Sequence, residues 1–254
     1  MNSLWQIGVM ALVAVAGFGY WLRHFGRYAL KHEVLALLLS VGMLLAIAGG
    51  HLAYMVAHRV SGQAACYFLF TLPGWRYGYL SIGLLLGYAL TVFIAARAFR
   101  YPFRYLADLT APTVFSTAVI WRLNCFFHGC CYGVTTSLPW GVSFPDAGEL
   151  LLRTPPVHPT QLYELVLCMT LFTLTPLAMH WLVTRPGEGL LSLACLGAYA
   201  MVRLFVDHFR VGASMEPLVA GLSASQLLAG GIALLCVVAM AVVIRKRIRS
   251  VPSL

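Results

Sequence analysis

Residues 189–209 read GLLSLACLGAYAMVRLFVDHF, an apolar run of 21 residues interrupted only near its far end by Arg203 and Asp207. At 1.5 Å rise per residue a helix of this length covers about 30 Å, the thickness of a bilayer's hydrocarbon core. Two ionisable groups inside such a run are costly in lipid, so they are expected to face a protein interior or a wet cavity. Both halves of that reading, a membrane span and a buried charged site, extend to the rest of the chain.

Six further segments follow the same pattern: 4–22, 33–57, 77–96, 106–127, 161–183 and 224–244. The segment 106–127 is the weakest, because Pro112 and Arg122 interrupt it and β-branched residues crowd it. Of the 254 residues 61% are hydrophobic and 10% are charged, whereas a water-soluble domain carries about 25% charged residues. The sequence therefore predicts an all-α polytopic membrane protein of about seven transmembrane helices. Internal repeats and low-complexity linkers are absent, so 1–254 reads as one domain. No cleavable signal peptide is expected, since 4–22 is long enough to span and no basic stretch precedes it.

Orientation follows from the short loops. Arg23, Arg27, Lys31, Arg97, Arg100, Arg104, Arg185, Arg245, Lys246, Arg247 and Arg249 fall on one side, against Arg59, Arg76, Arg153 and Arg210 on the other. Basic residues concentrate in cytoplasmic loops, which puts the C-terminus in the cytoplasm, the N-terminus outside and the long loop 128–160 facing outward. The net charge of +9 is thus an orientation signal split into short clusters, and no nucleic-acid partner is expected.

Within 189–209 and just beyond it, Tyr199, Arg203, Asp207 and Arg210 fall within about 80° of one helix face at 100° per residue. Asp207 can pair with Arg203 one turn before it or Arg210 one turn after. The surplus positive charge favours an anion over a simple ion-pair lock between helices. Arg122 is the second buried base; its planar fork could grip a phosphate, or its stem could snorkel to an interface. The stretch His158-Pro159-Thr160-Gln161-Leu162-Tyr163-Glu164 opens the fifth span, with Gln161, Glu164 and Cys168 within about 60° of one face. Acid–base work and a capped helix start are both compatible with it.

Three of the seven cysteines cluster in Cys125-Phe126-Phe127-His128-Gly129-Cys130-Cys131-Tyr132-Gly133. They could bind zinc, although adjacent Cys130 and Cys131 depart from the usual ligand spacing. They could form a disulfide on an oxidising face, or supply an activated thiol beside the arginines. Gly129 and Gly133 suggest tight turns. Gly49-Gly50-His51 in the second span reads as a point of close helix packing.

Taken in order, these segments resemble the prolipoprotein diacylglyceryl transferase family. The resemblance rests on Trp121–Gly133, His158–Glu164, Tyr199–Arg210, the stretch Gly221-Leu222-Ser223-Ala224-Ser225-Gln226 and the glycine-rich second span. It implies a bacterial inner-membrane enzyme that moves a diacylglyceryl group from phosphatidylglycerol, or a related anionic phospholipid, to the cysteine thiol of a lipobox-containing precursor protein. No cofactor and no metal is implied. The resemblance assigns the lipid phosphate to Arg122 and an essential role to Arg203. Tyr199, Asp207 (in place of a more usual Glu) and Arg210 stand at companion positions. Gly133, Gln161 and Glu164 fall within its substrate-binding stretches. Cys125 and Cys130 stand where the family's signature loop has Asn and Glu, which marks a divergent member. A family histidine expected near the third span is replaced around Gly78 and Tyr79, leaving His128 and His158 as candidate bases. A non-catalytic phospholipid binder and a thiol or metal protein on the same scaffold are the alternatives.

Overall fold

The computed structural model describes residues 3–25, 30–57, 81–145, 153–182, 187–210 and 217–249. In chain order the helices are α1 Ser3–Phe25, α2 His32–Ala57, α3 Ser81–Ala98, α4 Phe103–Thr110, α5 Thr113–Phe127, α6 Thr160–Leu182, α7 Leu190–Asp207 and α8 Ala224–Arg249. Between α7 and α8 lies a two-stranded antiparallel ribbon, β1 Pro217–Val219 with β2 Leu222–Ser223. The helical reading holds for the bulk of the described chain, and the ribbon corrects its all-α form. Among the described residues four helices are long and apolar enough to cross a membrane by length and composition: Glu33–Val56, Thr160–His180, Leu190–Asp207 and Ala224–Arg249. Gly83–Ala98 and Thr113–Phe127 are shorter apolar helices.

The contacts separate two compact units, residues 28–107 and residues 1–27 with 108–254. In the first, α2 packs on α3. The backbones come close enough that a Cβ on Gly49 would strike the carbonyl of Gly83, and one on Gly83 would strike that of Gly49. Small residues allow such an approach between helices that lipid alone would not drive together. Val34, Leu38, Val92, Ala95, Ala96 and Leu106 form the adjoining core. At the end of α3, Arg100 takes a left-handed φ of 57° and the Tyr101 N–H reaches back to the Ala96 carbonyl at 3.0 Å. That closes the helix as a Schellman cap does.

In the second unit, the expected span 106–127 is not one helix. It breaks at Ala111 and Pro112 into α4 and α5, because Pro112 has no N–H to continue the ladder. The Thr113 hydroxyl instead satisfies the Thr110 carbonyl at 2.6 Å. Asp108, buried just before the break, turns to another helix. Its carboxylate accepts the N–H groups of Gly189 and Ser192, both at 2.9 Å, and of Gly187 at 3.4 Å. Gly189 and Ser192 belong to the N-cap and first turn of α7, whose N–H groups otherwise have no intrahelical partner. Gly187 lies just before them, and a carboxylate there also complements the helix dipole.

Helix α6 carries Pro176 in its interior. The Phe172 carbonyl, left without its usual donor, accepts the Thr175 hydroxyl at 2.6 Å. The ribbon strands β1 and β2 are joined by a two-residue turn, Ala220 (φ 51°) and Gly221 (φ 76°), the left-handed pair that suits a tight hairpin, and β2 runs directly into α8. Ser223 and Gln226 then form a reciprocal capping box. The Ser223 N–H donates to Gln226 Oε1 at 2.9 Å, and the Gln226 N–H donates to the Ser223 hydroxyl at 3.2 Å. Helix α8 packs on α7 through a seam of small residues, Ala229, Ala233 and Cys236. Leu234, Leu235 and Val237 point outward and are about two-thirds exposed, as a lipid-facing side requires.

Candidate functional site

Glu164, on the second turn of α6, is the centre of a buried charge network and is itself 1% exposed. Its Oε2 lies 2.8 Å from Arg122 Nε of α5 and 2.9 Å from Arg203 Nη1 of α7, while its Oε1 accepts the Tyr199 hydroxyl at 3.2 Å. One carboxylate therefore ties three helices. On α7, Arg203 Nη2 straddles both oxygens of Asp207, 2.6 Å from Oδ1 and 2.9 Å from Oδ2. Arg210 Nη1 reaches Asp207 Oδ1 at 3.3 Å. Ser225 of α8 donates to Asp207 Oδ2 at 2.5 Å, which adds a fourth helix.

Among the described residues three guanidinium groups face two carboxylates, so the network carries one positive charge in surplus there. Burying such groups is tolerable only where each charge is paired, and the pairing here is incomplete. The Arg122 Nε–H is not aimed along a hydrogen-bond line to Glu164. Together with Arg210 Nε and Gln161 Oε1 it is buried without a hydrogen-bond partner among the described residues. Unused donors beside a surplus positive charge are suited to an anion's oxygens.

The loop after α5 packs beside this network. Gly133 forms a bridge with Arg210, and its N–H donates to the His158 carbonyl at 2.8 Å. A Cβ at Gly133 would run into the Phe209 carbonyl, so only glycine fits this approach. Thr160 and Gln161, both buried, donate to the carbonyls of Cys131 and Cys130, each at 2.7 Å. Cys125, Cys130 and Cys131 are free thiols whose Sγ atoms all lie within 4.8 Å of one another. The Cys131 thiol is held well below the usual range by the two neighbouring thiols of Cys125 and Cys130 and by the positive charge of Arg210 and Arg122, against the opposing effect of burial, while the Cys130 thiol donates to the Cys125 carbonyl at 3.7 Å.

The sequence model of prolipoprotein diacylglyceryl transferase matches residues 4–243. The chain is 33% identical to the phosphatidylglycerol–prolipoprotein diacylglyceryl transferase of Geobacter sulfurreducens over 82% of this chain and 76% of that protein. It is 32% identical to the one from Pseudoalteromonas atlantica, over 92% and 84%, and 30% identical to the one from Paracidovorax citrulli, over 81% of each. The chain belongs to the prolipoprotein diacylglyceryl transferase family.

Within this family member, Arg122, Glu164, Tyr199, Arg203, Asp207 and Arg210 come together as one network. Gln161 and Gly133 sit next to it, holding the cysteine loop and the Arg210 strand segment. The two imidazoles stand apart from the ion pairs. His128 is exposed and its Nδ1 meets the Asn124 carbonyl of its own helix at 2.9 Å. His158 is half-buried, with Nδ1 3.0 Å from the Tyr163 hydroxyl, which also accepts Trp140 Nε1 at 2.9 Å. The disulfide considered for the cysteine cluster is not formed. Gly78, Tyr79 and Cys66 lie outside the described residues, as do Arg27, Arg59, Arg76 and Arg185 of the orientation argument.

Glu164 was a candidate site residue from the sequence, but its place at the centre was not legible there, and Ser225 was not a candidate. The central position of Glu164 was hidden because its partners lie on other helices, beyond the reach of a single-helix projection. Ser225 carried a signal, since the Ser-x-x-Gln box around it fixes a helix start that aims the next hydroxyl.

Proposed function

We propose that this chain is a phosphatidylglycerol–prolipoprotein diacylglyceryl transferase of the bacterial inner membrane. In this reading 1–254 acts as one domain that crosses seven times, with the N-terminus outside and the C-terminus in the cytoplasm. Phosphatidylglycerol, or a related anionic phospholipid, is the donor, and the lipobox cysteine of a precursor protein is the acceptor.

The observation that carries the reading is the buried Arg122–Glu164–Arg203–Asp207–Arg210 network with its unspent positive charge, in a member of this family. Arg122 and Arg210 hold the lipid phosphate. Arg203, held by both carboxylates, stabilises negative charge developing on the departing glycerol phosphate, a preorganised electrostatic role. Glu164, itself held by the Tyr199 hydroxyl, positions Arg122 and Arg203. Gly133, Gln161 and the backbone of Cys130 shape the substrate-binding loop, with Cys125 behind it. Of the two imidazoles, the half-buried His158 is the better placed to accept a proton. His128, bonded to its own helix, serves at the loop's exposed edge.

The deciding experiment is transfer of labelled diacylglyceryl from phosphatidylglycerol to a lipobox peptide in proteoliposomes, paired with rescue of a strain depleted of its own transferase. Both are expected to succeed. Retention of phosphatidylglycerol without transfer by a well-folded protein would reduce the chain to a lipid binder.

A further inference from the structure

The cysteine cluster has a geometry that the arginine network does not explain. Cys130 and Cys131 are adjacent, and in an extended chain their side chains would point to opposite sides. Cys131 instead adopts a left-handed φ of 65°, uncommon for a residue with a Cβ. The turn brings both thiols round to Cys125 at the end of α5. Backbone strain of this kind persists only where the surroundings impose it, and here they do. Buried Thr160 and Gln161 fasten the carbonyls of Cys131 and Cys130 at 2.7 Å, and the Cys130 N–H closes on the Cys125 carbonyl at 3.1 Å.

We propose that Cys125, Cys130 and Cys131 hold a zinc ion, with one coordination position open to the acceptor thiol. Zinc–sulfur bonds of about 2.3 Å in a tetrahedron set the sulfurs about 3.8 Å apart. The three Sγ atoms already lie within 4.8 Å of one another, so small side-chain rotations close them on one ion. Among the described residues no fourth His, Cys, Asp or Glu joins the group. Three protein ligands with a free position is the arrangement of zinc sites that act on a substrate, whereas structural sites are closed by four. The mouth is accessible, since Cys130 is exposed while Cys125 is buried.

Charge favours a divalent ion. Three thiolates and one zinc sum to a single negative charge, the complement of the single positive surplus carried by the neighbouring arginines and carboxylates. A monovalent soft ion would leave two negative charges there.

The open position deepens the transferase reading and rests on it. A thiol that coordinates zinc is deprotonated outright, so the acceptor's S–H proton passes by way of water to the His158 imidazole and its sulfur lone pair becomes the nucleophile. The S–C bond to the glyceryl carbon forms as the C–O bond to phosphate breaks, and the electron pair leaves with the glycerol phosphate beside the arginines. No group changes oxidation state.

The test uses the full chain purified anaerobically in detergent, with metal content measured by mass spectrometry. Cys125→Ser, Cys130→Ser and Cys131→Ser are compared with Cys236→Ser, a cysteine of α8 outside the cluster. The parent and Cys236→Ser are expected to retain one zinc per chain. Each cluster variant should bind it at least about tenfold more weakly. Cys130→Ser, at an exposed position, keeps the comparison valid should the buried variant misfold. A reduced, monodisperse protein that takes up no zinc on refilling overturns the site, as do cluster variants that bind like the parent. With cobalt in place of zinc, a lipobox peptide should shift the thiolate-to-metal absorption and its serine analogue should not. A cobalt spectrum indifferent to the thiol overturns the open position and leaves a structural ion. Zinc binding without transfer would sink the transferase reading alone, and transfer with no zinc bound would sink this site alone.

Discussion

Arg122 Nε lies 2.8 Å from Glu164 Oε2, yet its N–H is not aligned as a hydrogen bond and has no other partner among the described residues. Glu164 holds the guanidinium in place electrostatically without using up its directional donors. Arg203, by contrast, is fastened to Glu164 and to Asp207 by aligned bonds. The two arginines therefore differ in what they can offer a ligand: Arg122 has spare donors, and Arg203 offers mainly charge.

Replacing Arg122 with Lys tests that difference. Lysine keeps the positive charge but loses the planar fork that can meet a carboxylate and a phosphate together. Loss of an oriented donor to developing charge reduces turnover by about a hundredfold or more, and the same is expected here in the label-transfer assay, with elution and helicity unchanged. An Arg122→Lys enzyme within about threefold of the parent would mean that the phosphate is held elsewhere.

Asp108 should matter for stability and little for chemistry. Its buried carboxylate accepts three N–H groups at the start of α7, and Asp108→Ala would leave them without a partner. Each buried donor so orphaned costs about 1–3 kcal/mol, so a loss of about 3 kcal/mol in total is expected in detergent unfolding. Asp108→Asn, which retains an acceptor oxygen, should recover much of it. Turnover per folded molecule should be unchanged in both variants.

The helical membrane character was legible because it depends on sums over 20-residue windows, and the face shared by Arg203, Asp207 and Arg210 was legible because one helix supplies it. The central position of Glu164 was not, since Arg122, Arg203 and Tyr199 reach it from two other helices and no local spacing encodes that. The break at Pro112 was visible as an interruption, but the role of Asp108 just before it was not: its carboxylate caps a helix about 80 residues further on. The adjacency of Cys130 and Cys131 argued against shared ligation in a regular backbone, and only the left-handed turn at Cys131 removes that objection.

Ser223 and Ser225, two residues apart, should separate folding from function. Ser223→Ala removes half of the capping box and should cost about 1 kcal/mol of stability, with turnover little changed. Ser225→Ala removes the hydroxyl that binds Asp207 Oδ2. It should lower turnover by about tenfold or more, since a hydrogen bond to a charged group contributes about 1.5–3 kcal/mol. Thermal unfolding and label transfer measured on both variants make the comparison; equal effects of the two on turnover would remove Ser225 from the network.

Gly83→Ala addresses the other compact unit. Its added methyl would collide with the Gly49 carbonyl and the Ala53 side chain, so α2 and α3 would have to separate. Overpacking of this kind costs about 1–3 kcal/mol, and because the obstacle is backbone no side-chain rotation relieves it. A lower midpoint of thermal unfolding and faster proteolysis are expected. Gly8→Ala in α1, where a Cβ meets nothing within 4 Å, should leave both unchanged. If Gly83→Ala unfolds like the parent, the close approach of α2 and α3 at this glycine is not what holds the unit together.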